Sequence, residues 1–162
     1  MASLATPSTM PAEGKLWVQP SAKDTAWQLV EYTAGTVLDT AVDKKTGAPL
    51  CELTVDGTEA PMRLPVTRTA AYDTSHELNL KDISRMSCPH EAPLMSLLRR
   101  RFDGDEIYTK CGDVMISVNP YRTIPGLYDL VKRGDSSKDP HIFDVAERAM
   151  ASVNAGAGAQ AI

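Results

Sequence analysis

The chain has 162 residues, room for one domain, or one domain and part of another, and not for three. With 43% apolar and 23% charged residues it has a globular composition, which excludes wholesale disorder, a collagen-like repeat and a coiled coil. Its net charge of -4 argues against a nucleic-acid-binding module, whose footprint is normally basic.

Residues 1–11, MASLATPSTMP, lack the basic and apolar regions of a secretory signal. Their Ser, Thr, Ala and Pro content is expected of a disordered leader, extending to residue 15. From residue 16 to about 66, short apolar stretches are separated by turn residues. LWVQ at 16–19, AWQLVEY at 26–32, TVL at 36–38 and LCELTV at 50–55 carry β-branched or aromatic residues with partial period-two alternation. Thr46 to Pro49 and the pair Asp56-Gly57 punctuate them as hairpin turns, because Gly supplies the positive φ of a tight turn. Five short strands in all are expected in roughly 50 residues, these four stretches among them, and predict a small, highly curved barrel of the SH3-like kind, which removes sheet edges by closing.

Beyond residue 80 the pattern changes. A helix is expected at 93–102, where Leu94, Leu97, Leu98 and Arg101 have helical spacing and Pro93 suits the first turn. Asp103-Gly104-Asp105 ends it. Ile107-Tyr108-Thr109 and the apolar stretch at 114–118 then predict a β-hairpin turning at Cys111-Gly112-Asp113. A loop rich in Pro and Gly, NPYRTIPGLY, occupies 119–128, followed by a short helical stretch at 129–133 and a polar linker at 134–138. The last helix is expected to take Asp139 as N-cap and Pro140 as its first residue. Ile142, Val145, Ala146, Ala149 and Met150 recur along it as a stripe expected to be buried. The tail NAGAGAQAI is a low-complexity Ala and Gly string with no strand after it. No apolar run approaches the roughly 20 residues that cross a bilayer, so no membrane span is expected.

Few residues outside these elements suggest chemistry. The odd, widely spaced Cys51, Cys88 and Cys111 are unlike a secreted disulfide framework and point to reduced thiols in the cytosol. Cys88 and His90 would make half a metal site, but no second closely spaced pair completes the four ligands that zinc takes. Arg99, Arg100 and Arg101 form the one dense basic run, expected to be solvated or paired on a helix. Asp103, Asp105 and Glu106 read as a solvated turn. His76, His90 and His141 have no nucleophile or carboxylate at a catalytic spacing, and His141 is expected to pack or cap in the first turn of its helix.

Several motifs in order carry a family resemblance. Asp82-Ile83-Ser84, EAPLMSLLRRRF at 91–102, Ile107-Tyr108-Thr109, Gly112, Val118-Asn119-Pro120-Tyr121, and Ile124-Pro125-Gly126-Leu127-Tyr128 together resemble the start of a myosin motor domain. PHIFDVAE at 140–147 is similar to the helix which that family places before its phosphate-binding loop. Two local departures occur: Ala92 separates Glu91 from Pro93, and Tyr128 falls one residue later than in many members. The resemblance implies a mixed α and β fold: a small SH3-like barrel at 16–70, then, at 71–162, the first helix, β-hairpin and pre-P-loop helix of an incomplete P-loop NTPase fold.

The resemblance further implies that Asn119, Pro120 and Tyr128 line a purine pocket, with Tyr121 and Arg122 beside them. Pro120 and Pro125 stiffen the loop so that little entropy is lost on binding, Asn119 offers an amide, and Tyr128 offers a flat face with a polar tip. No G-x-x-x-x-G-K-[ST] segment occurs among the 162 residues, so the Lys and Ser or Thr that reach phosphate and Mg²⁺ in such a loop are not among them. The expectation is an N-terminal piece of an actin-based, ATP-driven motor, cut before the P-loop. Its ATP binding should be weak or absent, with no catalytic residues and no turnover of its own. In the complete family member the partner would be the actin filament, with light chains outside this chain and a cytoplasmic, cytoskeletal location. The alternative is a non-enzymatic SH3-like interaction module carrying a vestigial motor segment; a third reading is an adenine-nucleotide-binding fragment without hydrolysis.

Overall fold

Strands form where β-branched and aromatic residues alternate. The computed structural model describes residues 13–21, 23, 26–129, 139–156 and 158. The first twelve residues of the expected leader, the stretches at 130–133 and 134–138, and most of the Ala and Gly tail lie outside them. Two compact units divide between Asp73 and Thr74.

In the first unit, β1 (Gly14–Val18), β2 (Gln28–Val42), β3 (Pro49–Val55), β4 (Met62–Pro65) and β5 (Thr69–Ala71) form one five-stranded sheet in the order β4-β3-β2-β1-β5. Every pairing is antiparallel. β1 starts at Gly14, ahead of the expected Leu16. The stretches expected as separate strands around 26–32 and 36–38 are one 15-residue strand. Its broken alternation is a β-bulge: the register with β3 shifts between Tyr32 and Ala34, and again between Leu38 and Val42. Gly35 serves a close approach there, since a Cβ would lie 2.9 Å from the Tyr32 ring. Inward residues of the sheet, Val18, Val30, Tyr32, Cys51, Leu53, Leu64 and Val66, make one core. Burial pushes the Cys51 thiol pKa up, which keeps it protonated and inert.

In the second unit, α1 (Glu91–Asp103) begins two residues before the expected Pro93 and ends on Gly104, whose N–H bonds to the Arg100 and Arg101 carbonyls. Leu97 is fully buried against Ile83 and Met86. The expected hairpin is present as β6 (Tyr108–Cys111) and β7 (Val114–Ser117). Gly112, with φ 60°, takes the first position of its two-residue loop, as a type II′ turn requires.

The last helix, α2, spans Ile142–Asn154 and corrects the expected start. Its N-cap is His141, not Asp139. The His141 side chain accepts from the Phe143 N–H, and the Asp144 carboxylate accepts from the His141 N–H. Asp139 instead pairs with Lys81 at 2.7 Å. The stripe expected to be buried is only partly covered: Ile142, Val145 and Ala149 are half-buried, while Ala146 and Met150 line an open groove. The helix is held mainly at its start, where His141, Phe143 and Asp144 meet the hairpin and the loop before it.

Candidate functional site

The expected site residues sit on the loop that leaves β7. Asn119 folds back on itself: its Oδ1 accepts from the Tyr121 N–H at 2.9 Å. That turn holds Tyr121 at φ 52°, a left-handed conformation uncommon for a non-Gly residue, and the residue is 92% exposed. Arg122 pairs with Asp105, itself left-handed at φ 61° just past the end of α1. At the loop's far end Tyr128 hydrogen-bonds through its hydroxyl to that of Tyr108, 3.1 Å away. Pro120, ahead of both anchors in the chain, is half-buried. The loop is therefore tied at Arg122 to the end of α1 and at Tyr128 to β6.

Behind it lies a cleft of about 200 Å³, lined among others by Arg101, Glu106, Tyr108, Leu127, Pro140 and His141. Arg101 is 2% exposed. Its Nε donates to Thr109 Oγ1 and one terminal nitrogen to the Tyr108 carbonyl, both at 2.9 Å, while the other pairs with Glu106 at 3.1 Å. A planar guanidinium reaches these converging oxygens at once, two by hydrogen bonds and Glu106 by an ion pair, which a lysine cannot do. The Tyr108 hydroxyl is pushed up to about 12, first by burial and then by its bond to Tyr128. It stays a neutral hydrogen-bonding group throughout the physiological range. His141 closes the cleft, its ring edge-on to Tyr108 at 4.9 Å and to Tyr128 at 5.7 Å.

Of the sequence-derived residues, Arg122 and Tyr128 are thus engaged with Asp105 and Tyr108, and Asn119 and Tyr121 form a turn of their own. Arg101, Asp105, Tyr108 and His141 were not expected as parts of this site. One signal existed for Arg101: it is the charged member of an otherwise apolar helical stripe. The acidic turn is also corrected, because Asp105 and Glu106 are ion-paired and Glu106 accepts in addition from Asn79 at 2.9 Å. Among the described residues no cluster of three His, Cys, Asp or Glu side chains is arranged to hold an ion. Among those residues, too, no helix is long and apolar enough to cross a membrane.

Residues 80–162 match the family described as myosin head (motor domain). Myosin-1 of Sclerotinia sclerotiorum is 36% identical over 104 residues, 59% of this chain and 8% of that protein. The myosin IC heavy chain of Dictyostelium discoideum is 35% identical over 80 residues, 46% of this chain and 7% of that protein. Myosin-11 of Arabidopsis thaliana is 29% identical over 165 residues, covering 93% of this chain and 10% of that protein. The chain thus spans a tenth or less of the length of these relatives. The matched segment begins at Leu80 and takes in α1, the hairpin, the anchored loop and α2, so the chain belongs to the myosin head (motor domain) family.

Proposed function

We propose that this chain carries the purine side of the nucleotide site of an ATP-driven, actin-based motor. The observation that carries the reading is the anchored loop at 119–128 within a segment that matches the myosin head. Asn119, Pro120 and Tyr128 would line the base, with Tyr121 and Arg122 at its edge. The adjoining cleft of about 200 Å³ takes only Leu127 from this loop and none of those five residues, so the base reading rests on the loop itself and not on that cleft. The residues present do not fit Mg²⁺ or a triphosphate: no Walker-type loop occurs in the sequence, and the donor set for an ion is lacking among the described residues. These 162 residues by themselves should bind ATP poorly and hydrolyse none. In a complete motor they would act with the actin filament, in the cytoskeleton, with light chains bound elsewhere. ATPase measured on this chain, with and without actin, should match a no-protein blank; turnover above it overturns the reading of inactivity. Calorimetry with adenosine tests the base site, and no heat at millimolar ligand counts against it.

A second reading rests on the first unit, which we propose to be a closed SH3-like barrel at 16–70 able to act as an interaction module. What supports closure is the link between the sheet's two edges. Edges of a flat five-stranded sheet would lie about 19 Å apart. Only the helical turn Val66–Arg68 joins β4 to β5, and so short a link spans about 14 Å at most. The sheet must curl for the chain to pass from one edge to the other. Limited proteolysis separates the readings: a lone stable fragment ending near Ala71 favours the module, and equal resistance of the described parts out to Asn154 favours an integrated motor segment.

A further inference from the structure

The side chain of His141 joins the loop at 119–129 to the start of helix α2, beside the contact of Tyr128 with Phe143. His141 is 4% exposed. Its Nδ1 lies 3.1 Å from the backbone nitrogen of Phe143 and its Nε2 lies 3.0 Å from the carbonyl oxygen of Leu127. A backbone N–H only donates and a carbonyl only accepts, so Nδ1 bears no proton and Nε2 bears one. The imidazole is therefore held in one neutral tautomer, with one nitrogen on the helix cap and the other on the loop. The ring of Phe143 at 4.5 Å and that of Tyr108 at 4.9 Å fix its plane.

We propose that His141 is a latch, a positioning residue that couples the conformation of the 119–129 loop to the start of α2. The carbonyl it holds lies inside the turn that closes the loop, where the Leu127 N–H bonds to Ile124 at 3.3 Å and the Asp129 N–H to Gly126 at 3.1 Å. Freeing the Leu127 carbonyl frees that turn, while the helix keeps its own ladder. Resting on the purine reading of the loop, the functional consequence is that a base bound there is felt at α2 through this ring, in addition to the contact of Tyr128 with Phe143. The latch itself needs no ligand.

Substitution can separate the two bonds. His141→Asn keeps a favoured N-cap, but its amide ends short of where Nε2 stands. His141→Gln reaches further and can donate to the carbonyl, while lacking the short acceptor that caps. Amide hydrogen exchange on the whole chain reads both ends. In His141→Asn the Leu127 and Asp129 amides should exchange about three- to tenfold faster, the effect of one lost hydrogen bond, with α2 unchanged. In His141→Gln the loop should regain protection while the first turn of α2 loses it. Loop amides unchanged in His141→Asn, or loop and helix amides accelerating together in it, would overturn the latch. Adding millimolar adenosine should slow exchange in the loop and α2 of the unsubstituted chain, and in His141→Asn should slow the loop with a reduced effect on α2. If adenosine slows neither in the unsubstituted chain, the purine reading fails and the ligand-free exchange still decides the latch.

Discussion

Arg101 shows how one side chain organises the site. Its guanidinium, 2% exposed, meets the Thr109 hydroxyl, the Tyr108 carbonyl and the Glu106 carboxylate. Truncation would leave a buried carbonyl unpaired and a carboxylate without its cation. Arg101→Ala is therefore expected to destabilise the second unit by about 2–4 kcal/mol, short of the fully buried limit because Glu106 is partly solvated. Urea unfolding followed by exchange of the α1 amides measures it, and a loss within about 0.5 kcal/mol, the level of an ordinary surface change, would contradict it. Tyr108 gives a second prediction. Its folded pKa is raised from 10.0 to about 12, so the neutral hydroxyl stabilises the fold below pH 10, and that contribution disappears as the pH rises through about 12. Tyr128→Phe should bring the Tyr108 titration down, yet not to the ordinary value, because burial is the larger cause and remains. Ultraviolet difference titration of the tyrosinates checks both the direction and the remainder.

At the scale of elements, the hairpin of β6 and β7 is fastened by one carboxylate. Asp82 Oδ1 accepts from the Ser84 N–H at 3.0 Å, the Ser84 hydroxyl at 2.7 Å and the Gly112 N–H at 3.1 Å. It thus caps a short turn and pins the hairpin loop. The Gly112 N–H first, then Ser84, holds its pKa below the ordinary 3.8. A depressed carboxylate stabilises above its unfolded value and loses that contribution as the pH falls through the folded one. Asp82→Asn should accordingly lower hairpin protection at neutral pH, with the gap from the unsubstituted chain narrowing well below pH 3.8. Exchange of the Gly112 amide across that range follows it; a gap constant with pH would rule the carboxylate out as the fastener. Element type was legible where period and punctuation agreed, as in α1 and this hairpin. Boundaries failed where a side chain chose between equivalent starts. Asp139 and His141 both precede α2, and the reciprocal bond with Asp144 decides for His141. The break at 33–35 resembled a turn because a bulge and a turn both interrupt alternation, and only pairing with β3 distinguishes them. The anchors Asp105 and Tyr108 were illegible for a similar reason: each acts on a residue far along the chain, and spacing carries no sign of such contacts.

At the scale of the whole molecule, burial falls into two separate sets of residues. One centres on Leu53, Leu64 and Val18 of the sheet and the other on Leu97, Ile83 and Met86 around α1. The sheet's core is built entirely from residues before Asp73, and its long strand β2 pairs on both sides. A fragment ending at Asp73 therefore retains every strand of its sheet. It should keep its β-sheet circular dichroism and the emission of buried Trp17, 4% exposed, and unfold cooperatively in urea. Within it, Leu53→Ala removes a fully buried side chain from the middle of β3 and should cost about 2–5 kcal/mol, the transfer loss plus the cavity left behind. An independent sheet of this size has few kcal/mol to lose, so the variant should be largely unfolded at room temperature. The same substitution in the whole chain should unfold the first unit and leave exchange protection of α1 in place. Loss of α1 protection together with the sheet would show that the second set of buried residues depends on the first, and would favour one integrated motor segment over a separable module.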